Sequence, residues 1–128
     1  MATSAKRVLL VEDDRFLRRA GEAVLQRCGL NVMLAVDGEE ALAMARREQP
    51  DLVLLDMLMP RRSGIEVLRE IRSQPDTQGL RVLVLSNSSR EQDIAEAQQL
   101  GIEGYWVKAE MSLSELGDRV MALLGSGT

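Results

Sequence analysis

The 128-residue sequence predicts an α/β fold in which one parallel sheet carries helices on both faces. Three observations carry that expectation. Short runs rich in Val and Leu recur at roughly even spacing without polar alternation, the pattern of strands buried on both faces. Between them lie segments with apolar residues at helical spacing, each a helix with one inward face. The two kinds of segment alternate strictly, which demands parallel strands joined by right-handed crossovers.

The first run, Val8 to Val11, precedes a stripe of Leu17, Gly21, Val24 and Cys28, and Gly29 follows where a left-handed residue ends a helix at least steric cost. The second, Val32 to Val36, runs into Asp37 with Glu40 three residues on, a capping-box pattern with Asp as the acceptor. After the third, Leu52 to Leu55, the same pattern recurs as Ser63 with Glu66, opening a stripe of Ile65, Leu68 and Ile71. The fourth run, Val82 to Leu85, leads to Ser89 with Gln92 and a helix that Gly101 stops. The fifth, Tyr105 to Val107, leads to Ser112 with Glu115 and a stripe of Leu113, Leu116, Val120 and Leu123. Five strand-then-helix units thus form one domain over residues 6–124. Residues 1–5 and 125–128 (GSGT) are expected to be loose tails. A chain of this length buries an adequate core without disulfides or a structural metal.

Composition removes several classes of function. The net charge is −4, and Lys and Arg are scattered among acids, which disfavours nucleic acid or an anionic membrane as direct partner. Cys28 is the single cysteine and can form no internal disulfide. No basic start followed by an apolar run marks a leader or a membrane span, so the cytosol is the expected compartment. Histidine is absent, which excludes an imidazole base, a His metal ligand or a phosphohistidine within this chain.

Ligands of open parallel sheets bind beyond the carboxyl ends of the strands, near the point where strand order reverses. Glu12, Asp13 and Asp14 follow the first strand, Asp56 closes the third, Ser86 the fourth and Lys108 the fifth. For any one of them, a polar residue returning a buried strand to solvent is an equal explanation; for the set it is much weaker. Two carboxylates about 4 Å apart repel by roughly 4 kcal/mol at an effective dielectric near 20, so a cluster calls for a cation or protonation. Oxygen ligands without His or Cys suit magnesium. A metal, a carboxylate nucleophile, a hydroxyl and an ammonium together are what formation of an aspartyl phosphate requires, with Asp56 attacking phosphorus while Lys108 and Ser86 hold its oxygens. Glu12, Asp13 and Asp56 carry −3, and magnesium with Lys108 carries +3, so the site is balanced before a phosphoryl group enters.

The segments VLLVEDD, LVLLDMLMP with a following Gly64, VLVLSNSS and GYWVKA together resemble the receiver domains of bacterial two-component response regulators, the CheY-like superfamily. The resemblance spans nearly the whole chain, and its specificity lies in the joint order of acidic pair, Asp, Ser and Lys. It implies a flavodoxin-like (βα)5 fold with strand order 2-1-3-4-5. It implies that Glu12, Asp13, Asp56 and the backbone carbonyl of Leu58 hold Mg2+, that Asp56 is the phosphoacceptor, and that Ser86 and Lys108 grip the phosphoryl group. Tyr105 falls on the family's switch aromatic, whose ring would move as Ser86 is drawn inward and would remodel the face of helix 4, strand 5 and helix 5. Implied partners are a sensor histidine kinase or phosphotransfer protein upstream and an output protein or domain downstream. Both a free-standing adaptor and a piece of a longer regulator are compatible with it.

Two departures stand out. Ala109 follows Lys108 where the family usually has proline; the Lys108–Ala109 bond is expected to be trans, since a cis bond without proline costs about 2.5 to 4 kcal/mol. Leu58 stands where the family often has a polar side chain, and with Ser88 it predicts a long-lived phosphorylated state, because neither can orient an attacking water.

Other residues carry plainer readings. Cys28 lies in phase with an inward stripe and reads as packing, as do Met57 and Met59. Asp14 reads as the N-terminal acid of the first helix. Arg46, Arg47, Arg61 and Arg62 read as solvated faces. Trp106 should point to the opposite face of its strand from Tyr105. Among rival functions, an aspartate-nucleophile phosphatase shares the Asp, the magnesium and the Lys, but it needs a second acid where Leu58 stands. A flavodoxin-like electron carrier would find its phosphate repelled by EDDRF, and the GxGxxG of a dinucleotide module is absent.

Overall fold

The structure, a computed structural model, describes residues 5–59, 63–87 and 91–126. Strands and helices alternate as β1 (Arg7–Val11), α1 (Arg15–Arg27), β2 (Asn31–Ala35), α2 (Gly38–Glu48), β3 (Leu52–Leu55), α3 (Gly64–Ser73), β4 (Val82–Ser86), α4 (Glu91–Leu100) and β5 (Gly104–Val107). A 3₁₀ turn (Lys108–Glu110) and α5 (Leu113–Ser126) complete the chain. The strands are parallel and ordered β2-β1-β3-β4-β5, as the family resemblance implied.

The runs of Val and Leu sort residue by residue onto the two faces. Leu9, Val11, Val53, Leu55, Val82 and Val84 pack beneath Ala41 and Ala45 of α2, Val67, Leu68 and Ile71 of α3, and Ala97 of α4. Their neighbours Val8, Leu10, Leu52, Leu54, Leu83 and Leu85 face the other way, under Leu25 of α1 and Leu116, Val120 and Leu124 of α5. Strand side chains alternate between faces, so a strand covered on both sides must be apolar throughout.

Local chemistry sets the helix ends. Ser63 and Glu66 close a full capping box at α3, and Ser112 and Glu115 exchange the same pair of bonds at α5. Asp37 accepts from the Glu40 N–H, but Glu40 returns its bond to the N–H of Val36, one residue short of the reciprocal pattern. Asp14 caps α1 by accepting from the Leu17 N–H at 3.0 Å, which is the N-terminal role expected of it. Ser89, expected to cap the fourth helix, lies outside the described residues, as do Arg61 and Arg62. Gly29 and Gly101 have φ of +88° and +92°. Gln49 also turns left-handed, at φ 48°, and its side-chain amide donates to the Asp76 carbonyl at 2.9 Å.

Three boundaries depart from expectation. In α1 the buried residues are Gly21, which the expected stripe included, and Leu25, which it did not, while Leu17 is exposed. In α5 the inward stripe is Leu116, Val120 and Leu124, with Leu113 exposed. Because Leu124 is buried against the sheet, its helical turn continues to Ser126, past the expected start of the tail at residue 125.

Arg72 joins three elements without an acidic partner in hydrogen-bond range among the described residues. Its guanidinium donates to the carbonyls of Leu100 at 2.9 Å and Gly101 at 2.7 Å, at the end of α4, and to those of Gln78 at 3.0 Å and Leu80 at 2.7 Å before β4. Burial pulls its pKa below the ordinary arginine value. A planar fork reaches four diverging carbonyls where an ammonium cannot. Arg72→Lys is therefore expected to lower the free energy of unfolding by about 2 kcal/mol in urea titration, with the slope of the transition unchanged.

Candidate functional site: an acidic rim bridged by one lysine

The sheet register brings the polar strand ends together. Val11 pairs with Leu55, so the residues that follow, Glu12 and Asp56, emerge side by side. The ladder extends past the strands to hold them, through Glu12 N–H to Ala35 O at 3.0 Å and Asp56 N–H to Val11 O at 3.3 Å. Ser86 pairs with Val107, which places Lys108 one residue beyond. Glu12, Asp56 and Ser86 are all buried.

Glu12, Asp13 and Asp56 each present a carboxylate oxygen within 4.8 Å of the others. At that spacing each pair repels by roughly 3 to 4 kcal/mol at an effective dielectric near 20. Lys108 offsets part of this. Its ammonium donates to Glu12 Oε1 and to Asp56 Oδ2, the latter at 2.9 Å. The other oxygens accept backbone N–H groups, Glu12 Oε2 from Asp14 at 3.2 Å and Asp56 Oδ1 from Leu58 at 3.1 Å.

Burial pushes the Glu12 carboxyl above its ordinary value, against the lowering effect of Lys108 and of the Asp14 N–H. Burial acts the other way on the Lys108 ammonium, but its bonds to Glu12 and Asp56 outweigh it and the net shift is upward. Both directions suit one partly desolvated site with surplus negative charge, where a proton is held more tightly by acid and amine alike. The donor set is oxygen only and carries charge that a divalent cation would neutralise, so the residues present fit magnesium.

Each expected site residue has a definite place. Glu12, Asp13, Asp56 and Lys108 converge, and Ser86 adjoins them at the end of β4. Leu58 touches the site through its N–H, while its side chain is 55% exposed at the rim. Tyr105 is half-buried opposite Val84 and packed on the face covered by α2, α3 and α4. Trp106 takes the opposite face, with the Arg119 guanidinium 5.0 Å from its ring centroid. Cys28 packs among apolar residues beside Gly117, and Met57 is buried, both as expected. The Lys108–Ala109 bond is trans.

Three supporting residues were not singled out for these roles. Arg18 donates to the carbonyls of Glu12 at 2.9 Å and Asp13 at 3.2 Å, fixing the acidic loop from α1. Asn87 accepts the Ala109 N–H at 3.0 Å. Gly64 starts α3 directly against the loop after β3: a Cβ there would lie 2.3 Å from the Asp56 carbonyl oxygen and 2.5 Å from Met57 Cα. A glycine eight residues beyond a strand-end Asp was a visible signal for the last; side-chain bonds to backbone outside a helix cap leave no signature in sequence.

A protein-family model described as the response regulator receiver domain matches residues 8–120. "Response regulator MprA" of Mycobacterium leprae (strain TN) is 40% identical over 118 residues, covering 92% of this chain and 50% of that protein. "Alkaline phosphatase synthesis transcriptional regulatory protein PhoP" of Bacillus subtilis (strain 168) is 36% identical over 119 residues, 93% of this chain and 48% of the relative. The chain thus spans about half the length of these relatives. The crystal structure of the phosphorylated cyanobacterial phytochrome response regulator RcpA superposes with a TM-score of 0.80 at 35% identity, over 94% of this chain and 91% of that one.

With the site metal-free, Asp56→Asn removes one of three crowded charges while Lys108 keeps its bond to Glu12. We expect the variant to melt at or above the temperature of the unaltered chain in the presence of chelator, by circular dichroism; a marked drop would make Asp56 a structural residue.

Proposed function

The chain belongs to the response regulator receiver domain family, and we propose from that premise that it takes a phosphoryl group onto Asp56 and works as a switch in two-component signalling. The observation that carries this reading is the convergence of Glu12, Asp13 and Asp56 around the Lys108 ammonium, inside the span of the family match. RcpA, similar in fold and sequence, is described as phosphorylated, which supports the same chemistry here.

In the proposed reaction an Asp56 carboxylate oxygen attacks phosphorus. A new O–P bond forms as the bond from phosphorus to the donor breaks, and the electron pair leaves with the donor. Lys108, now shared between two carboxylates, turns to a phosphoryl oxygen, and the Ser86 hydroxyl donates to another. The carboxylates of Glu12, Asp13 and Asp56 and the backbone carbonyl of Leu58 would hold Mg2+, which when bound neutralises charge on the oxygens around phosphorus. Tyr105 would then follow Ser86 and reshape the face made by α4, β5 and α5.

The donor is a sensor histidine kinase or a phosphotransfer protein. Exposed Phe16, Leu17 and Leu113 near the rim offer apolar footing for such a partner. An output protein or domain reads the switched face. The relatives' further length, and the transcriptional role in PhoP's name, favour an output domain joined to a receiver of this kind. The receiver unit covers residues 6–124, with α5 running two residues further. It acts in the cytoplasm, without direct contact to nucleic acid or membrane. No described helix is long and apolar enough to cross a membrane. A phosphatase finds no support here, since Leu58 occupies the position of the second acid it needs.

Intact mass after incubation with acetyl phosphate tests the reading. One phosphoryl group should be gained with magnesium, and none with chelator or in Asp56→Asn; labelling that survives either change would refute it. The side chain of Leu58 offers no hydrogen bond to a water approaching phosphorus, so Leu58→Asn should shorten the lifetime of the phosphorylated form, by up to about 10²-fold. Ser88, expected to act with it, lies outside the described residues. Equal decay rates for the two proteins would place control of the lifetime elsewhere.

A further inference from the structure

Residue 109 has an N–H because it is alanine where the family usually has proline. That N–H donates to Asn87 Oδ1 at 3.0 Å, across 22 residues of sequence. The two partners occupy matched positions: Asn87 directly follows Ser86, and Ala109 directly follows Lys108. Backbone pairing between β4 and β5 ends at Ser86 and Val107, so this bond is a further rung just beyond the ladder. It joins the two strand ends that carry the proposed phosphoryl-binding pair. The Met111 N–H donates to the Lys108 carbonyl at 3.2 Å, a bond that closes the turn on itself and does not tie it to β4.

We propose that Asn87 is a positioning residue which, by holding the Ala109 N–H, keeps the Lys108 ammonium over Asp56 and makes Lys108 follow any displacement of Ser86. The role rests on the reading of Asp56 as phosphoacceptor. Asparagine suits it chemically. Its side-chain carbonyl accepts without adding a negative charge beside three carboxylates, whereas alanine has no acceptor and proline at 109 would have no donor. Lys108 reaches its partners through a long flexible stem, so a fixed backbone origin narrows where its charge can lie. Both residues are solvent-exposed, and a neutral bond in that setting is worth about a factor of five in an equilibrium.

The experiment uses the full chain. Amide hydrogen exchange by NMR reads the bond itself: the Ala109 N–H should exchange about fivefold faster in Asn87→Ala, and Asn87→Asp, which keeps the acceptor oxygen, should retain protection. Phosphorylation by acetyl phosphate at saturating magnesium reads the positioning. Asn87→Ala and Ala109→Pro should each be slower by about fivefold, and the double variant no slower than the worse of the two, because either change alone removes the same bond. Unchanged Ala109 exchange, an unaffected rate in Asn87→Ala, or losses that multiply in the double variant would each overturn the proposal. Failure of the unaltered chain to gain any phosphoryl group would instead sink the phosphoacceptor reading, and the positioning role with it.

Discussion

A single ammonium group, that of Lys108, lies between the carboxylates of Glu12 and Asp56, and the rim of the sheet is arranged around that shared charge. These groups come from β1, β3 and β5, so no local segment could assemble them. Their meeting requires parallel strands in register and helices thick enough on both faces to keep water from the strands. The two apolar layers therefore serve the site as well as stability. They fix where the strands end, and the strand ends fix where the charges lie.

Crowding three acids would destabilise the fold if their lone pairs were left to one lysine. Backbone N–H groups of Asp14 and Leu58 take up the remaining carboxylate oxygens of Glu12 and Asp56, and Arg18 ties down the loop carbonyls beneath the acids. Gly64 lets the first turn of α3 press against Asp56 and Met57, and the Gly64 N–H donates to the Met57 carbonyl at 2.9 Å. The loop carrying Asp56 is thus held by backbone contacts on one side and open to solvent on the other, where the Leu58 side chain stands exposed. A rigid floor with an accessible mouth suits the proposed transfer of a phosphoryl group from another protein to Asp56.

Two loop positions are joined through a single side-chain bond. Where proline would deny the turn after β5 a donor, Ala109 supplies one, and the neighbouring strand end carries the asparagine that accepts it. The departure at residue 109 is visible in sequence as a missing proline. Its compensation lies 22 residues earlier and emerges only when β4 and β5 are placed side by side. Leu58 is different, because its departure alters the exposed wall of the site and leaves the carboxylates and lysine untouched.

The sequence by itself determined the five-fold alternation, the all-apolar strands and the list of polar groups at the strand ends, because each depends on local periodicity or on residue type at a chain return. It also marked most helix starts, since a capping side chain acts within three residues of its partner. Matching these segments to a known family supplied the strand order, which periodicity alone does not specify. Tertiary structure decided the rest. It added Leu25 and Leu124 to the buried positions of α1 and α5, since a helical stripe wider than its seat can dock in more than one rotation, and α5 runs beyond Leu124 to Ser126. It moved the Glu40 return bond to Val36 and gave Gln49 a left-handed turn that its sequence does not advertise. Above all it brought Arg72 and Asn87 to backbone groups 29 and 22 residues away, because a side chain's bond to a distant carbonyl or N–H depends on where the whole chain has gone and on nothing in its own neighbourhood.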